Sequence, residues 1–444
     1  LPEIETARDR LAQSPLQRSQ LAQQRADFFT NTARYGEAEA QARRAVDAAR
    51  ASGSLRRLAE ALSTLSCALA MQDRPEEALA PSDEMLALLG QIDEPEAKLF
   101  SERGVLLDNL GRTREALPLH RTAVELTLRR GQSTLAVSAL SNLACSQMDA
   151  GHVRAALATI EQALQLAGAH DDGTGTLASL LPMRGNALRE LGRHDEALHA
   201  IDAARKALAS GAAAYLPLAD LAQAAVWWHL GQVGRVQQAL PDDAALAALP
   251  RWMGARRWLL VARCRNALRQ PIGDALERAA EMVADGGIRP VRDIVALHVA
   301  ATHGRLADLD VLQLIGAEAR RDGREGVALS AACYGARLAA TLGMPHLALV
   351  QANEARALLE LEAGREAVTP ADIGELEAWL CLAQAYTAAG RAAEARRAWE
   401  RGVARLEHLE REHVPAEFRE SFRRRNPVHW ALLNAVSRTA APSE

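Results

Sequence analysis

Apolar residues recur along this chain with helical spacing, and a short phrase punctuates them at intervals near 40 residues. The phrase is a small or turn-forming residue, often followed by Arg, then an acidic residue and Ala that open another amphipathic run. It reads Gly111-Arg112-Thr113-Arg114-Glu115-Ala116-Leu117, Gly192-Arg193-His194-Asp195-Glu196-Ala197-Leu198 and Gly390-Arg391-Ala392-Ala393-Glu394-Ala395. Weaker copies begin at Ala33, Asp73 and Gly151, and degraded ones at Gly231, Gln270, Gly304 and Gly343. Successive spacings are 40, 38, 40, 41, 39, 39, 34, 39 and 47 residues, so ten units account for almost the whole chain. A fixed period of this size is the signature of a repeat architecture.

Each phrase lies between two runs of helical period. Gly supplies the left-handed residue that ends the first helix, and the acidic residue opens the second near its positive dipole end. The predicted unit is a hairpin of two antiparallel helices. Residue size at fixed offsets supports it. Seven residues before the turn stand Ala26, Ser66, Gly104, Ala144, Gly185, Ala224, Arg263, Leu297, Ala336 and Ala383. Five after it stand Ala38, Ala78, Ala116, Ala156, Ala197, Val236, Ala275, Leu309, Ala348 and Ala395. Small residues at both offsets let the two helices approach closely. Arg263 and Leu297 break the rule and put the packing of the seventh and eighth units in question.

This pattern resembles the tetratricopeptide repeat, most closely in Leu376, Trp379, Leu382, Ala383, Tyr386 and Gly390 of the last unit. The period longer than 34 residues resembles the subclass in the C-terminal repeat region of large bacterial signalling and transcription regulators, similar to the maltose-operon activator. The resemblance covers about residues 15 to 410 and implies an all-α fold. It would be a right-handed α-solenoid of about ten helical hairpins. Residues 1–410 would form the repeats and 411–444 the C-terminal capping helices and tail. In that tail Pro415 reads as a short helix start, and Asn426-Pro427 as an N-cap with its first helical residue. Phe418, Phe422 and Trp430 are expected to cover the exposed end of the stack. The 47-residue last spacing leaves room for a loop near 364–369, ahead of a helix starting at Thr369-Pro370.

Composition agrees. Of 444 residues, 49% are hydrophobic, 93 are Ala and only 4% are aromatic, which favours helix over sheet. Thin inter-helix layers filled by Ala and Leu need no large side chains. A net charge of −4 makes a nucleic-acid or acidic-membrane binder unexpected, and no run near 18 apolar residues suggests a transmembrane helix. Cys67, Cys145, Cys264, Cys333 and Cys381 are odd in number and form no CxxC, which fits a reducing, cytoplasmic setting without disulfides or zinc. The chain opens on Leu1 without Met or a signal-peptide pattern, as expected of a piece of a longer protein.

Catalytic motifs are missing. The only lysines, Lys98 and Lys206, precede neither Ser nor Thr, so no P-loop can be written. HExxH and GxSxG are absent. Gly173-Thr174-Gly175-Thr176-Leu177-Ala178 superficially fits a dinucleotide fingerprint, but that motif needs a preceding strand and 162–167 read as helix. No enzyme activity, cofactor or metal is expected.

What remains is a groove. By the resemblance, the first helix of each unit lines the concave face, which assigns particular offsets to it. Those offsets hold Asn109, Ser141, Asn142, Asp149, Asn186, Arg189, Trp228 and Arg337, the candidate partner-binding residues. Asn142 and Asn186 match the Asn positions of the family's peptide-carboxylate clamp, but Ser138, Ser141, Ser179 and Pro182 stand where its basic residues would be. Trp228 is a groove anchor or a packing residue. The groove is polar in units one to five and gains Leu218, Leu221, Leu260 and Leu268 in units six and seven. Such a trough suits a protein or peptide segment. The expected function is a non-enzymatic binding scaffold or sensor of a larger bacterial regulator. The alternative is a small-molecule effector-sensing domain.

Overall fold

The computed structural model describes residues 14–168, 174–211, 213–246, 250–284, 288–360 and 367–439. The opening segment at Leu1, Gly173 of the fingerprint and Gly364 of the expected loop lie outside them. Every regular element among the described residues is helical. The chain divides into two compact units, Leu1–Asn142 and Leu143–Glu444.

In the first unit the hairpins are α1 (Pro15–Asn31) with α2 (Tyr35–Ser52), α3 (Leu55–Ala70) with α4 (Pro75–Leu89), and α5 (Ala97–Asn109) with α6 (Thr113–Arg129). The unit boundary falls inside α7 (Ser133–Ala150), whose hairpin partner is α8 (Val153–Gly168). The second unit continues with α9 (Thr174–Glu190) and α10 (His194–Gly211), then α11 (Leu216–His229) and α12 (Val233–Ala239). A single turn, α13 (Asp243–Leu246), precedes α14 (Arg251–Ala267) and α15 (Ala275–Ala284). Then come α16 (Arg289–His303) with α17 (Leu306–Arg321), α18 (Glu325–Thr341) with α19 (Pro345–Leu359), and α20 (Glu375–Ala388) with α21 (Ala392–His413). The chain ends on α22 (Arg419–Arg424) and α23 (Pro427–Thr439).

Nine of the ten expected turn residues adopt the left-handed conformation, including the non-glycines Ala33 and Asp73. The tenth is displaced by one: Arg269, at φ 55°, takes the place expected of Gln270. That slip removes the anomaly at Arg263. Counting from Arg269, the buried Ala262 occupies the small-residue offset and Arg263 moves to the groove offset. In the eighth hairpin the large pair is real, with Leu297 and Leu309 both buried in one core. Elsewhere the small residues are needed: a Cβ on Gly104 would lie 2.5 Å from the His120 ring, and one on Gly185 2.6 Å from Ile201. Of the ten residues five beyond the expected turns, seven are alanines with 0% exposure and Val236 is equally buried, so these seams have no room for bulk.

The recurrent Arg and Glu of the phrase form a clasp. Helices α2, α4, α6 and α21 begin after Arg34, Arg74, Arg112 and Arg391, none with a side-chain cap on the backbone. Instead each guanidinium turns to the Glu three residues on. Arg112 reaches Glu115 through two bonds of 2.8 Å, and Arg74 reaches Glu77 at 2.7 and 2.6 Å. The Glu thus sits at the helix N-terminus, where the dipole favours it, with the Arg neutralising it from outside.

Two expectations for the end of the chain need correction. No helix starts at Thr369-Pro370; residues 367–374 are irregular and α20 begins at Glu375. The N–H groups of Thr369 and Ala371 bond instead to the carbonyls of Gly151 (2.9 Å) and Gly326 (3.1 Å). Asn426 does cap α23, its Oδ1 accepting from the N–H of Val428 at 3.0 Å. Phe418 and Phe422 are buried beside Leu230, Leu406 and Leu409, but Trp430 is 54% exposed. Helical period explains it: His429 and Leu432 point inward, three residues apart, and Trp430 is turned away between them. The cap also reaches back along the second unit. Ser421 donates to the carbonyl of Leu230 at 2.8 Å and accepts from Gln232 at 2.6 Å.

Candidate functional site

The first helices of the first unit, α1, α3 and α5, present Asp27, Cys67 and Val105 at one repeat offset, each in part open to water and in part covered by its neighbours. Beside them Lys98 pairs with Glu102 at 3.1 Å, and the Ser63 hydroxyl donates to Glu102. Burial raises the Asp27 carboxyl above its ordinary range, with Lys98 opposing and Glu102 adding to the rise. The Cys67 thiol is raised for the same reasons, burial first and then Glu102, so it is a poor nucleophile. Exposed Phe28 and Met71 add apolar surface. The result is a polar face with apolar patches and, among these described residues, no nucleophile-and-base pair.

In the second unit the corresponding face is a charged interior. Arg263 of α14 donates to the Asp372 carbonyl at 2.9 Å and to Glu377 at 3.1 Å. His298 of α16 bonds Asp372 through Nε2 at 2.7 Å, and its Nδ1 lies 3.3 Å from the Tyr334 hydroxyl. Tyr334 and Arg337 of α18 both reach Glu377, at 3.3 and 3.4 Å, with the Arg337 guanidinium 4.6 Å from the Tyr334 ring centre. Withdrawal from water would raise the Asp372 carboxyl. The His298 hydrogen bond and Arg263 outweigh it and hold the group well below the usual carboxylate range. Burial likewise pushes the Tyr334 hydroxyl well up, with Glu377 adding to the rise.

A stretch of the chain's own backbone lies across this face. Besides the two bonds to Gly151 and Gly326, Ser330 donates to the carbonyl of Ala371 at 2.9 Å. Val368 and Ile373 are buried, each 3% exposed. The fit is close: a Cβ on Gly326 would lie 2.7 Å from the Thr369 carbonyl oxygen. Next to it a small cleft is lined by Arg189, His194, His229, Glu375, Arg405 and His429. It has about 40 Å³ of space reachable by water, enough for a few molecules.

The candidate residues fall into several settings. Asn142 spans neighbouring helices, its Nδ2 donating to Ser101 Oγ at 2.9 Å, and Ser141 is half-buried beside it. Asn109, Asp149 and Asn186 are half-buried on their first helices. Arg189 is buried, bonded to Glu190 at 2.6 Å and 3.3 Å from His229 Nε2. Trp228 is 7% exposed and packs with Leu221, Val236, Leu260 and Cys264, the packing alternative of its sequence reading. Its neighbour Trp227 meets Phe418 edge-on, ring centres 5.2 Å apart. Arg337 joins the charged cluster. Asp372, Tyr334 and Glu377 are not singled out by sequence; the long last spacing is the signal for Asp372, and nothing points to the others. The structure also brings Asp195, Glu196 and His413 within metal-ligand spacing, although Glu196 is engaged by Arg193 at 2.5 Å.

No protein-family profile matches the chain, and no curated protein matches it. Solved structures do. A Rap protein complexed with competence and sporulation factor aligns at a TM-score of 0.57 and 12% identity, over 76% of this chain and 96% of that one. NprR in complex with its cognate peptide NprX aligns at 0.50 and 13% identity, over 65% of this chain and 84% of that one. A tetratricopeptide repeat protein from Parabacteroides merdae aligns at 0.41 and 16% identity, over 63% and 97%. No helix among the described residues is long and apolar enough to cross a membrane. Repeat period, hairpin geometry and structural likeness agree, and the fold is that of a tetratricopeptide-type helical-repeat protein.

Proposed function

We propose that this chain is a non-enzymatic scaffold that binds an extended protein or peptide segment along the inner faces of its hairpins, as the sensory part of a larger cytoplasmic regulator. The observation that carries the reading is the 368–374 segment, an irregular stretch held against first-helix side chains through both backbone and side-chain bonds. A surface that holds one such strand has the groups to hold another. The peptide complex of NprR, a protein of the same fold, points the same way. Nothing in the narrow cleft at Arg189 favours a metabolite-sized effector.

A display selection of random peptides on the full chain tests it. The reading expects enriched sequences whose binding is lost when the exposed inner-face residue Val105 is changed to Glu. No enrichment above that on an unrelated solenoid would sink it.

A further inference from the structure

We propose that the inner face of the second unit is a recognition site for a non-helical peptide segment that presents an acidic side chain at a turn, which the chain's own 368–374 segment occupies in its absence. This rests on the peptide-binding reading above and names the ligand class of that face. The segment spells out what the site accepts. Backbone N–H groups at Thr369 and Ala371 meet the carbonyls of Gly151 and Gly326, and the Ala371 carbonyl meets Ser330. These bonds fix residues 368–371 without reading their sequence, and the chain then turns, with Asp372 at φ 66° and the Ile373 N–H on the Ala371 carbonyl at 2.9 Å. Apolar side chains at Val368 and Ile373 fill buried positions on either side.

The sequence-reading element lies between them. Arg263 and His298 approach the Asp372 carboxylate from α14 and α16, at 3.4 and 2.7 Å. Both come from the groove offset of their repeats, so the hairpins themselves present the two cationic or donating groups side by side. A neutral side chain in place of Asp372 would take the carboxylate from His298 Nε2 and leave the partly buried Arg263 with the Glu377 carboxylate alone, which is costly. An incoming peptide must therefore supply a carboxylate close after its backbone anchors and carry small or branched apolar residues around it. Such a peptide gains no new kind of contact; it exchanges with the internal strand, and its apparent affinity is reduced by the fraction of time the strand is bound.

The test uses the full chain and a fluorescent, end-capped peptide of sequence VTPADIG, with VTPANIG as its control. Anisotropy titrations are made on the parent chain, on Asp372→Asn and on Thr369→Pro. The first variant removes the internal carboxylate, and the second removes the N–H given to Gly151 without touching the charges. The proposal expects VTPADIG to bind either variant at least about ten-fold more tightly than the parent. It expects VTPANIG to bind at least about ten-fold more weakly than VTPADIG. Equal or absent binding of VTPADIG across parent and folded variants overturns the proposal. So does loss of helical circular dichroism in both variants, because the segment would then be an inseparable part of the core. If peptides selected by display still bind at Val105, the general reading survives and this site assignment alone falls.

Discussion

His298 Nε2 lies 2.7 Å from Asp372 Oδ2, joining the eighth hairpin to the loop that enters the tenth. The contact is flanked by Arg263 on one side and, through Tyr334, by Glu377 on the other. Because the Asp372 carboxyl is held low, it remains ionised well into acid. Its stabilising effect is present above the unfolded carboxylate range and is lost only as pH falls below it.

Three histidines of the second unit act sooner as the pH falls. His194 and His429 are buried, and their ring centres lie 5.9 and 4.2 Å from that of Phe422. Burial pushes His194 down to about 3 and His429 to about 4, and His229 lies well below its ordinary value for the same reason. Arg189 adds to the depression of His194 and His229. The folded chain thus binds fewer protons than the unfolded chain below about pH 6.5. Stability is complete above that value and falls as pH drops, by about 1.4 kcal/mol per pH unit for each histidine. Thermal melts at about pH 7.5 and about pH 5 are expected to show a lower midpoint in acid. An unchanged midpoint would contradict the burial of these rings.

Arg324 is fully buried and reaches Asp293 at 2.5 Å, with Asp293 also bonded to Arg289 at 2.7 Å. Removing Arg324 leaves the buried Asp293 carboxylate with Arg289 alone. Arg324→Leu is expected to cost about 3–5 kcal/mol in urea unfolding. The double variant Asp293→Leu with Arg324→Leu is expected to recover part of that loss, since the half-compensated buried carboxylate is then removed as well. A double variant as unstable as the sum of the two singles would deny the pairing.

Gly231 combines a left-handed φ of 71° with a crowded site, where a Cβ would stand 2.4 Å from the Ser421 carbonyl oxygen. Gly231→Ala therefore meets both backbone strain and the capping segment. A loss of about 2 kcal/mol or more is expected, with trypsin cutting earlier after Arg419 or Arg423. Digestion identical to the parent would mean the cap does not rest on this turn.

The cysteines report on the packing of individual helices. Cys67 and Cys145 are exposed, whereas Cys264, Cys333 and Cys381 are buried with thiols pushed up by desolvation. A thiol reagent is expected to modify two sites in the folded chain and five after denaturation. Rapid reaction at Cys333 would contradict the core around α18.

The turn period is legible because most hairpins repeat the same demands: a left-handed residue, a small residue seven before it and another five after. Even the irregular seventh unit keeps the first two once Arg269 replaces Gln270 as the turn. Trp430 and the irregular stretch at Thr369-Pro370 escape local pattern for a common reason. Their placement depends on contacts with distant parts of the second unit, and neighbouring residues carry no trace of those. The same holds for the site. Arg337 and His298 can be assigned to the inner face by offset, but no repeat reveals that an internal Asp372 and Glu377 meet them. Asn142 bonds Ser101, a contact that depends on the position of the neighbouring helix and that its own repeat does not reveal.

The central claim is that the inner face of the second unit holds a non-helical segment of the chain itself, and amide hydrogen exchange tests it most directly. The N–H groups of Thr369 and Ala371 belong to no helix, yet each is bonded to a carbonyl distant in sequence. Both amides are predicted to exchange slowly, at rates close to those of the core helices of the unit. Exchange of both at the rate of an open loop would contradict the account.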